Sequence, residues 1–283
     1  MAERFGLIDV QRALAEDRAA DDVTTRLLGA AAHAPAAADF VAEARFVVAG
    51  LRLVSTVFEE LDSRVSVVSA ITDGAWVDAE TTIATVRGVA SALLAGERVA
   101  LNFLQRLSGV ATLTRRAVEA VAGTGAKITH TRKTTPGLRD LELYAVRVGG
   151  GVENRVSLAG GILWKDNHWA LLARNGRSLK EALDAAPHDV PVIVEVESEE
   201  QLEAALAAGV RHLLIDNQPA DRVAEWARRA GPAASIQASG RITAATARAY
   251  AEAGASLIAI GALTHSAPAA PIRCDIAGLD GAH

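Results

Sequence analysis

The sequence predicts an α/β protein, with a smaller α/β domain at the N-terminus followed by an α/β barrel of parallel strands. The first third mixes a short amphipathic helix with β-branched runs, whereas the remainder repeats a short apolar run and an amphipathic helix, about every twenty residues in the last third. Each of those later apolar runs ends in a charged or small polar residue, as the strand ends of a barrel would. At 283 residues, half of them hydrophobic, the chain can bury the cores of a barrel and one smaller domain.

In chain order, a helix is predicted over Val10 to Ala15, and β-like runs over Phe40 to Val48, Val65 to Ile71 and Thr82 to Val89. A long helix begins near Ala90 and carries Leu101, Leu104 and Leu107 on one face. Ser108 and Gly109 predict a break before a second helix through Val121, and that break is taken as the boundary between domains 1–108 and 109–267. Strands follow at Lys127 to Thr131 and Gly161 to Trp164, and further strand-helix units begin at Val192, His212, Ala234 and Ser256. Ser198 is the predicted cap of a helix ending near Gly209, and Thr243 of one ending near Gly254.

Successive strand-helix units require parallel strands with helices outside, either as a barrel or as an open doubly wound sheet. At the strand ends stand Arg132 and Lys133, Lys165, Glu195, Asp216 with Asn217, Ser239 with Gly240, and Gly261. An open sheet recruits ligand groups mainly at its switch point, so contributions from every strand favour a closed barrel.

Composition removes several function classes. Lys and Arg total 29 against 34 Asp and Glu, a net charge of −5, which provides no nucleic-acid or polybasic membrane surface. One cysteine, Cys274, excludes an intrachain disulfide framework and a cysteine-rich zinc site; it reads as a structural thiol and suits a reducing cytoplasm. The start, Met1 to Asp17, carries Glu3 and Asp9 and has no continuous apolar run, so no signal peptide is expected, and no later stretch is apolar enough to span a bilayer. Abundant alanine reflects helix propensity.

The candidate site begins with the cations Arg98, Arg132, Lys133, Arg139, Arg155 and Lys165. Guanidinium forks match the paired oxygens of carboxylates and phosphates, and lysine adds a compact charge, so a ligand with at least two anionic groups is expected. Arg139, beside Asp140 and Glu142 on a predicted helix, reads equally as a solvated surface cation. Lys165 follows an apolar strand, a poor place for an unpaired charge. Glu195 and Asp216 are paired carboxylates suited to holding Mg²⁺ on a diphosphate or steadying a developing positive charge; acid-base work on a sugar and simple pairing with neighbouring cations remain open.

Ser239, Gly240 and Gly261 precede helices at the last two strands, where backbone N–H groups can approach a phosphate. Gly123 to Gly125 lacks a correctly spaced third glycine, so it is no dinucleotide fingerprint, and no Walker sequence or Gly-x-Ser-x-Gly elbow occurs. The histidines at 33, 130, 168, 188, 212, 265 and 283 show no paired metal-ligand spacing; His168 and His265, just past strand ends, are placed to touch ligand, and a supporting or merely structural role stands equally open.

The wording of several segments is itself informative. The run from Glu97 to Gly109 (ERVALNFLQRLSG), Thr131 to Arg139 (TRKTTPGLR), Gly149 to Gly151, Lys165 to His168 (KDNH), and Gly261 to Ser266 (GALTHS), with Glu16-Asp17 and Asp22-Val23-Thr24 near the start, resembles the quinolinate phosphoribosyltransferase family over nearly the whole chain. The resemblance implies an N-terminal open sandwich, completed by tail residues 268–283, with an incomplete α/β barrel, in a homodimer. It implies that Arg98 reaches the partner subunit's site and that Arg132, Asn154, Arg155 and Lys165 line the acceptor side. Lys133, Glu195, Asp216, Ser239, Gly240, Gly261 and His265 then match positions for PRPP, its phosphates and Mg²⁺.

Departures from the family's wording bear on the acceptor. Glu153-Asn154-Arg155 stands where the family usually has Asn-His-Arg, so an amide replaces an imidazole beside a new carboxylate. Gln237-Ala238-Ser239-Gly240-Arg241 stands where Glu is usual at the first position and Gly at the last, and Ala159-Gly160 replaces a larger residue and an Asp. The implied reaction is phosphoribosyl transfer from PRPP to quinolinate with decarboxylation, giving nicotinate mononucleotide. The alternatives are a paralogue acting on another aromatic acid, a Schiff-base aldolase using Lys165, and a ligand-binding homologue without activity.

Overall fold

The structure is a computed structural model that describes residues 5–187 and 189–278; His188 and tail residues 279–283, both included in the sequence reading, lie outside the described residues. The described residues form two compact units, one within 1–113, 135–149 and 267–283, the other within 114–134 and 150–266.

The first unit starts with helix α1 (Leu7–Glu16), then α2 (Val23–Arg26), whose N-cap Asp22 accepts from the backbone N–H groups of Thr24 and Thr25. Strands β1 (Pro35–Ala42) and β2 (Phe46–Val47), helix α3 (Leu51–Leu61), and strands β3 (Ser66–Val68), β4 (Trp76–Val77) and β5 (Thr82–Val89) follow. β1 alternates buried and less buried residues over its first half, the period of a half-buried strand, and Phe40 on it meets Phe58 of α3 edge to face with ring centroids 6.1 Å apart. β1 lies between β5 and a strand formed by Ile272–Gly278, antiparallel to both. Tail residues therefore form the outer strand of this sheet.

Helix α4 (Ala90–Ala120) runs without interruption for 31 residues, so the break expected at Ser108 and Gly109 is absent. The physical reason is packing. The Ser108 hydroxyl accepts the Ala49 N–H at 3.0 Å and the Thr112 hydroxyl accepts the Val47 N–H at 2.8 Å, so polar groups inside the helix satisfy a neighbouring backbone. A Cβ at Gly109 would stand 2.0 Å from the Pro268 carbonyl oxygen, so glycine here admits the crossing tail. The division between the units falls within this helix, at 113/114, and α5 (Arg139–Val148) groups with the first unit.

The second unit alternates strands and helices: β6 (Lys127–Thr129), β7 (Ile162–Trp164), α6 (Asp166–Arg174), α7 (Leu179–Leu183), β8 (Val192–Val196), α8 (Glu199–Ala207), β9 (His212–Asp216), α9 (Ala220–Ala230), β10 (Ser235–Ser239), α10 (Ala244–Glu252), β11 (Leu257–Ala259) and α11 (Ala262–His265); the tail strand is β12. Ser198 accepts from the Gln201 N–H and Thr243 from the Thr246 N–H, as N-caps do, and α8 and α10 end before Gly209 and Gly254, both in the left-handed region. All ladders in the six-stranded sheet are parallel, in the order β6-β11-β10-β9-β8-β7.

That order places sequence neighbours side by side and the first strand beside the last, leaving one rung missing between β6 and β7. The closed barrel favoured by strand-end chemistry alone is thus corrected to an incomplete barrel, open at one seam. Flat, the two edge strands would stand roughly 24 Å apart at the usual interstrand spacing. Residues following both line one cavity of about 300 Å³, so the sheet is curled. Among the described residues, no helix is long and apolar enough to cross a membrane.

Candidate active site

Parallel strands all deliver their C-terminal ends to one side, and alternation along each strand turns every second residue inward. The cavity takes Leu163 and Lys165 from β7, Ile193 and Glu195 from β8, Leu214 and Asp216 from β9, Gln237 and Ser239 from β10, and Ala259 from β11. In each pair the inner residue is apolar or an amide and the outer one polar, so a hydrophobic floor lies beneath a charged mouth. Thr131, Arg132 and Lys133 follow β6, and Asn154 and Arg155 complete the wall.

Two arginines, Arg132 and Arg155, stand in the cavity wall. Arg155 donates from Nη1 to the Gly161 carbonyl at 3.0 Å, while the Nε atoms of Arg132 and Arg155 are buried with no hydrogen-bond partner. Burial, together with the neighbouring charge of Arg132, pushes the pKa of Arg155 below its ordinary value. Two half-buried arginines, each with a buried Nε–H left without a partner, form a place that gains from an incoming carboxylate. Asn154 lines the cavity, and its side-chain oxygen accepts the Arg155 N–H at 2.8 Å.

Lys165 bridges the two chemistries. Its Nζ donates to Glu195 Oε2 at 2.9 Å, and its backbone N–H donates to His168 Nδ1 at 3.0 Å. His168 therefore buttresses the lysine's backbone. The Trp169 indole N–H donates to the Glu195 carbonyl at 2.9 Å, tying α6 to β8. Burial raises the Glu195 pKa, opposed by Lys165 and reinforced by the negative charges of Asp216 and Asp166.

Oxygen atoms of Glu195, Glu197 and Asp216 lie within 4.8 Å of one another. Three carboxylates at this spacing are hard oxygen donors of the kind Mg²⁺ takes, so the residues fit such an ion. Glu197 escaped the sequence reading, although its spacing from Glu195 puts it on the same face one step beyond the strand end, the signal that would have found it. Asn217, in the left-handed region, donates from Nδ2 to Asp216 Oδ2 at 2.6 Å and to Glu197 Oε1 at 3.3 Å, spacing the carboxylates.

The residues after β10 and β11 sit in loops fixed by close backbone approach. A Cβ at Gly240 would come within 2.4 Å of the Asn217 backbone nitrogen, and its φ is +96°, so glycine is required on two counts. Arg241 follows with φ +53°. Gly261 caps the short helix α11, and its Cα carries no Cβ to crowd the His265 ring, which would stand 3.1 Å away. Thr264, buried on α11, donates to the Lys133 carbonyl at 2.8 Å and holds the loop after β6. Gly240, Gly261 and His265 border the cavity's strand ends without lining it. Arg98 and Arg139 belong to the first unit, Arg98 exposed on α4.

Comparison with known proteins agrees with this architecture and decides the family. The model of the quinolinate phosphoribosyl transferase C-terminal domain matches residues 110–275, and that of the N-terminal domain matches residues 22–108. The chain belongs to the quinolinate phosphoribosyltransferase family. It is 43% identical over 239 residues to a Bacillus subtilis protein named probable nicotinate-nucleotide pyrophosphorylase (carboxylating), covering 84% of this chain and 83% of that one. It is 38% identical over 273 residues to the Mycobacterium leprae nicotinate-nucleotide pyrophosphorylase (carboxylating), covering 94% and 95%. The crystal structure of NadC from Streptococcus pyogenes superposes with a TM-score of 0.89 at 34% identity, over 99% of each chain. Quinolinate phosphoribosyltransferases are pentosyltransferase enzymes, and the aldolase alternative for Lys165 is set aside.

Proposed function

We propose that this quinolinate phosphoribosyltransferase transfers the phosphoribosyl group of PRPP to the ring nitrogen of quinolinate and releases CO2 and diphosphate, leaving nicotinate mononucleotide. One observation carries the assignment to this chain: a single cavity is lined by two half-buried arginines and by a cluster of carboxylates, with Lys165 bonded to one of those carboxylates.

Arg132, Arg155 and Lys165 anchor the two carboxylates of the acceptor, and Asn154 shapes the same wall. Holding the pyridine nitrogen at the anomeric carbon makes the attack effectively unimolecular. As the new C–N bond forms, the bond from the anomeric carbon to the diphosphate oxygen breaks, and Lys133 meets the charge that accumulates on the leaving group. Glu195 and Asp216 face the positive charge developing on the ribosyl ring. The carboxylate beside the now cationic nitrogen then leaves as CO2; its bonding electrons stay on the ring carbon, which takes up a proton.

Ser239, Gly240, Gly261 and His265 border the place for the ribose phosphate, where backbone N–H groups and helix starts favour an anion. Glu195, Glu197 and Asp216 would hold Mg²⁺, which supplies charge neutralisation for the diphosphate when bound. Arg98 acts from a second copy of the chain in a homodimer, and the reaction belongs to the cytoplasm, where Cys274 stays reduced: burial pushes its thiol up to about 12, which makes it a poor nucleophile. The test is incubation with Mg²⁺, PRPP and a panel of pyridine and benzoic acids, following diphosphate release. Quinolinate should be the preferred acid. The paralogue reading rests on Asn154 and Gln237 in the cavity wall and predicts release with another acid and none with quinolinate.

A further inference from the structure

On the β6 side, the open seam of the barrel carries one short stretch of pairing. Val152 runs beside β6 as an isolated parallel bridge to Thr129: its N–H donates to the Ile128 carbonyl at 2.8 Å, and the Thr129 hydroxyl donates to its carbonyl at 2.8 Å. Two residues further on, the next N–H of this short ladder, that of Asn154, donates to a side chain, the Nε2 of His130, at 3.2 Å. Nε2 takes that N–H on its lone pair, and the other ring nitrogen, Nδ1, faces the Thr131 carbonyl at 3.3 Å. His130 is 1% exposed and does not line the cavity.

The consequence lies in the following residue. Arg155 is held from behind by Asn154 and reaches forward to the Gly161 carbonyl, immediately before β7. One side of its support is therefore β6, through His130 and Asn154, and the other is the start of β7. An imidazole has replaced a backbone rung at the point where the guanidinium is aimed into the cavity.

We propose that His130 is a positioning residue for the carboxylate ligand: its imidazole fixes the Asn154–Arg155 segment across the open seam and thereby sets the affinity for the acid without touching it. This rests on the acceptor role assigned to Arg155 above. A lost hydrogen bond of this kind is worth about tenfold in affinity when it is converted wholly into misplacement of the binding group.

The test compares His130→Leu, which removes the acceptor, with His130→Gln, whose amide oxygen can take the Asn154 N–H, using the full chain. Binding of quinolinate and of PRPP with Mg²⁺ is measured separately by calorimetry, and amide exchange is followed over residues 152–155 without ligand. His130→Leu should weaken quinolinate about tenfold, change PRPP affinity by less than about twofold, and speed exchange of the Asn154 amide. His130→Gln should restore most of both effects. Equal weakening of quinolinate and PRPP, or a Gln variant no better than the Leu variant, overturns the positioning role. So does unchanged exchange in the Leu variant, a readout that holds even if that variant is less stable. If the wild-type protein binds quinolinate yet consumes no PRPP with it, the proposed reaction fails and the positioning role is still judged by these binding and exchange results.

Discussion

Glu195 has to be ionised to hold a cation or face a ribosyl cation, yet burial favours its neutral form. With a folded pKa above the ordinary 4.5, the group's contribution to stability is fully present below that value and is lost as pH rises through the raised one. Activity runs the opposite way, so kcat/KM should fall on acidification through a value above 4.5. Carbon NMR titration of the Glu195 carboxyl isolates the cause: Asp216→Asn should lower its midpoint and Lys165→Ala should raise it, because the first removes a repelling charge and the second a partner. A midpoint indifferent to both would mean that burial alone sets it.

Two adjacent residues in the loop after β10 should respond in opposite directions. Gly240→Ala places a Cβ 2.4 Å from the Asn217 nitrogen at a φ of +96°, and should cost about 2 to 4 kcal/mol in urea unfolding while raising the KM for PRPP. Arg241 holds a left-handed φ of +53°, so Arg241→Gly relieves strain that outweighs the added freedom of the unfolded glycine, and should gain about 0.5 to 1 kcal/mol. The strand-end residues Arg132, Lys165, Glu195 and Asp216 were legible in the sequence because each closes an apolar run. Glu197 carries the same signal through its two-residue spacing from Glu195 but lies one step past the strand end, whereas a buried imidazole accepting a backbone N–H, as at His130, leaves no mark in hydrophobic periodicity.

At the scale of elements, α4 shows how tertiary contacts override a local signal. Ser and Gly together predict a helix break, but here the hydroxyl serves the Ala49 backbone and the missing side chain admits the tail. Ser108→Ala leaves a buried N–H without its acceptor and should cost about 1 to 3 kcal/mol, read from the midpoint of denaturant unfolding; Ser108→Thr, which keeps the hydroxyl, should cost less. Within the same unit, buried Glu142 accepts from Arg106 at 2.7 Å, and from the Thr135 N–H at 3.0 Å and its hydroxyl at 2.7 Å. Removing that hub by Glu142→Ala should destabilise by about 3 to 5 kcal/mol, because Arg106 loses its carboxylate and a backbone donor is orphaned. Helices α8 and α10 were readable almost to the residue, since Ser198 and Thr243 cap them as their sequences require.

For the whole molecule, the succession of strands and helices was visible because βα units carry two alternating periods, 2 and 3.6. The open seam was not, since strand order depends on contacts between residues far apart in the chain, and only resemblance to a family supplied it. Curling brings Arg132 and Lys165, at the two edges of the sheet, into one cavity, and the proposed reaction requires that convergence. The most direct test is a product balance: purified protein with Mg²⁺, PRPP and quinolinate, with nicotinate mononucleotide, CO2 and diphosphate measured together. Equal amounts of all three, abolished by Arg155→Ala or Glu195→Gln, are expected; no PRPP consumption with quinolinate, or diphosphate release without nicotinate mononucleotide, would contradict the assignment.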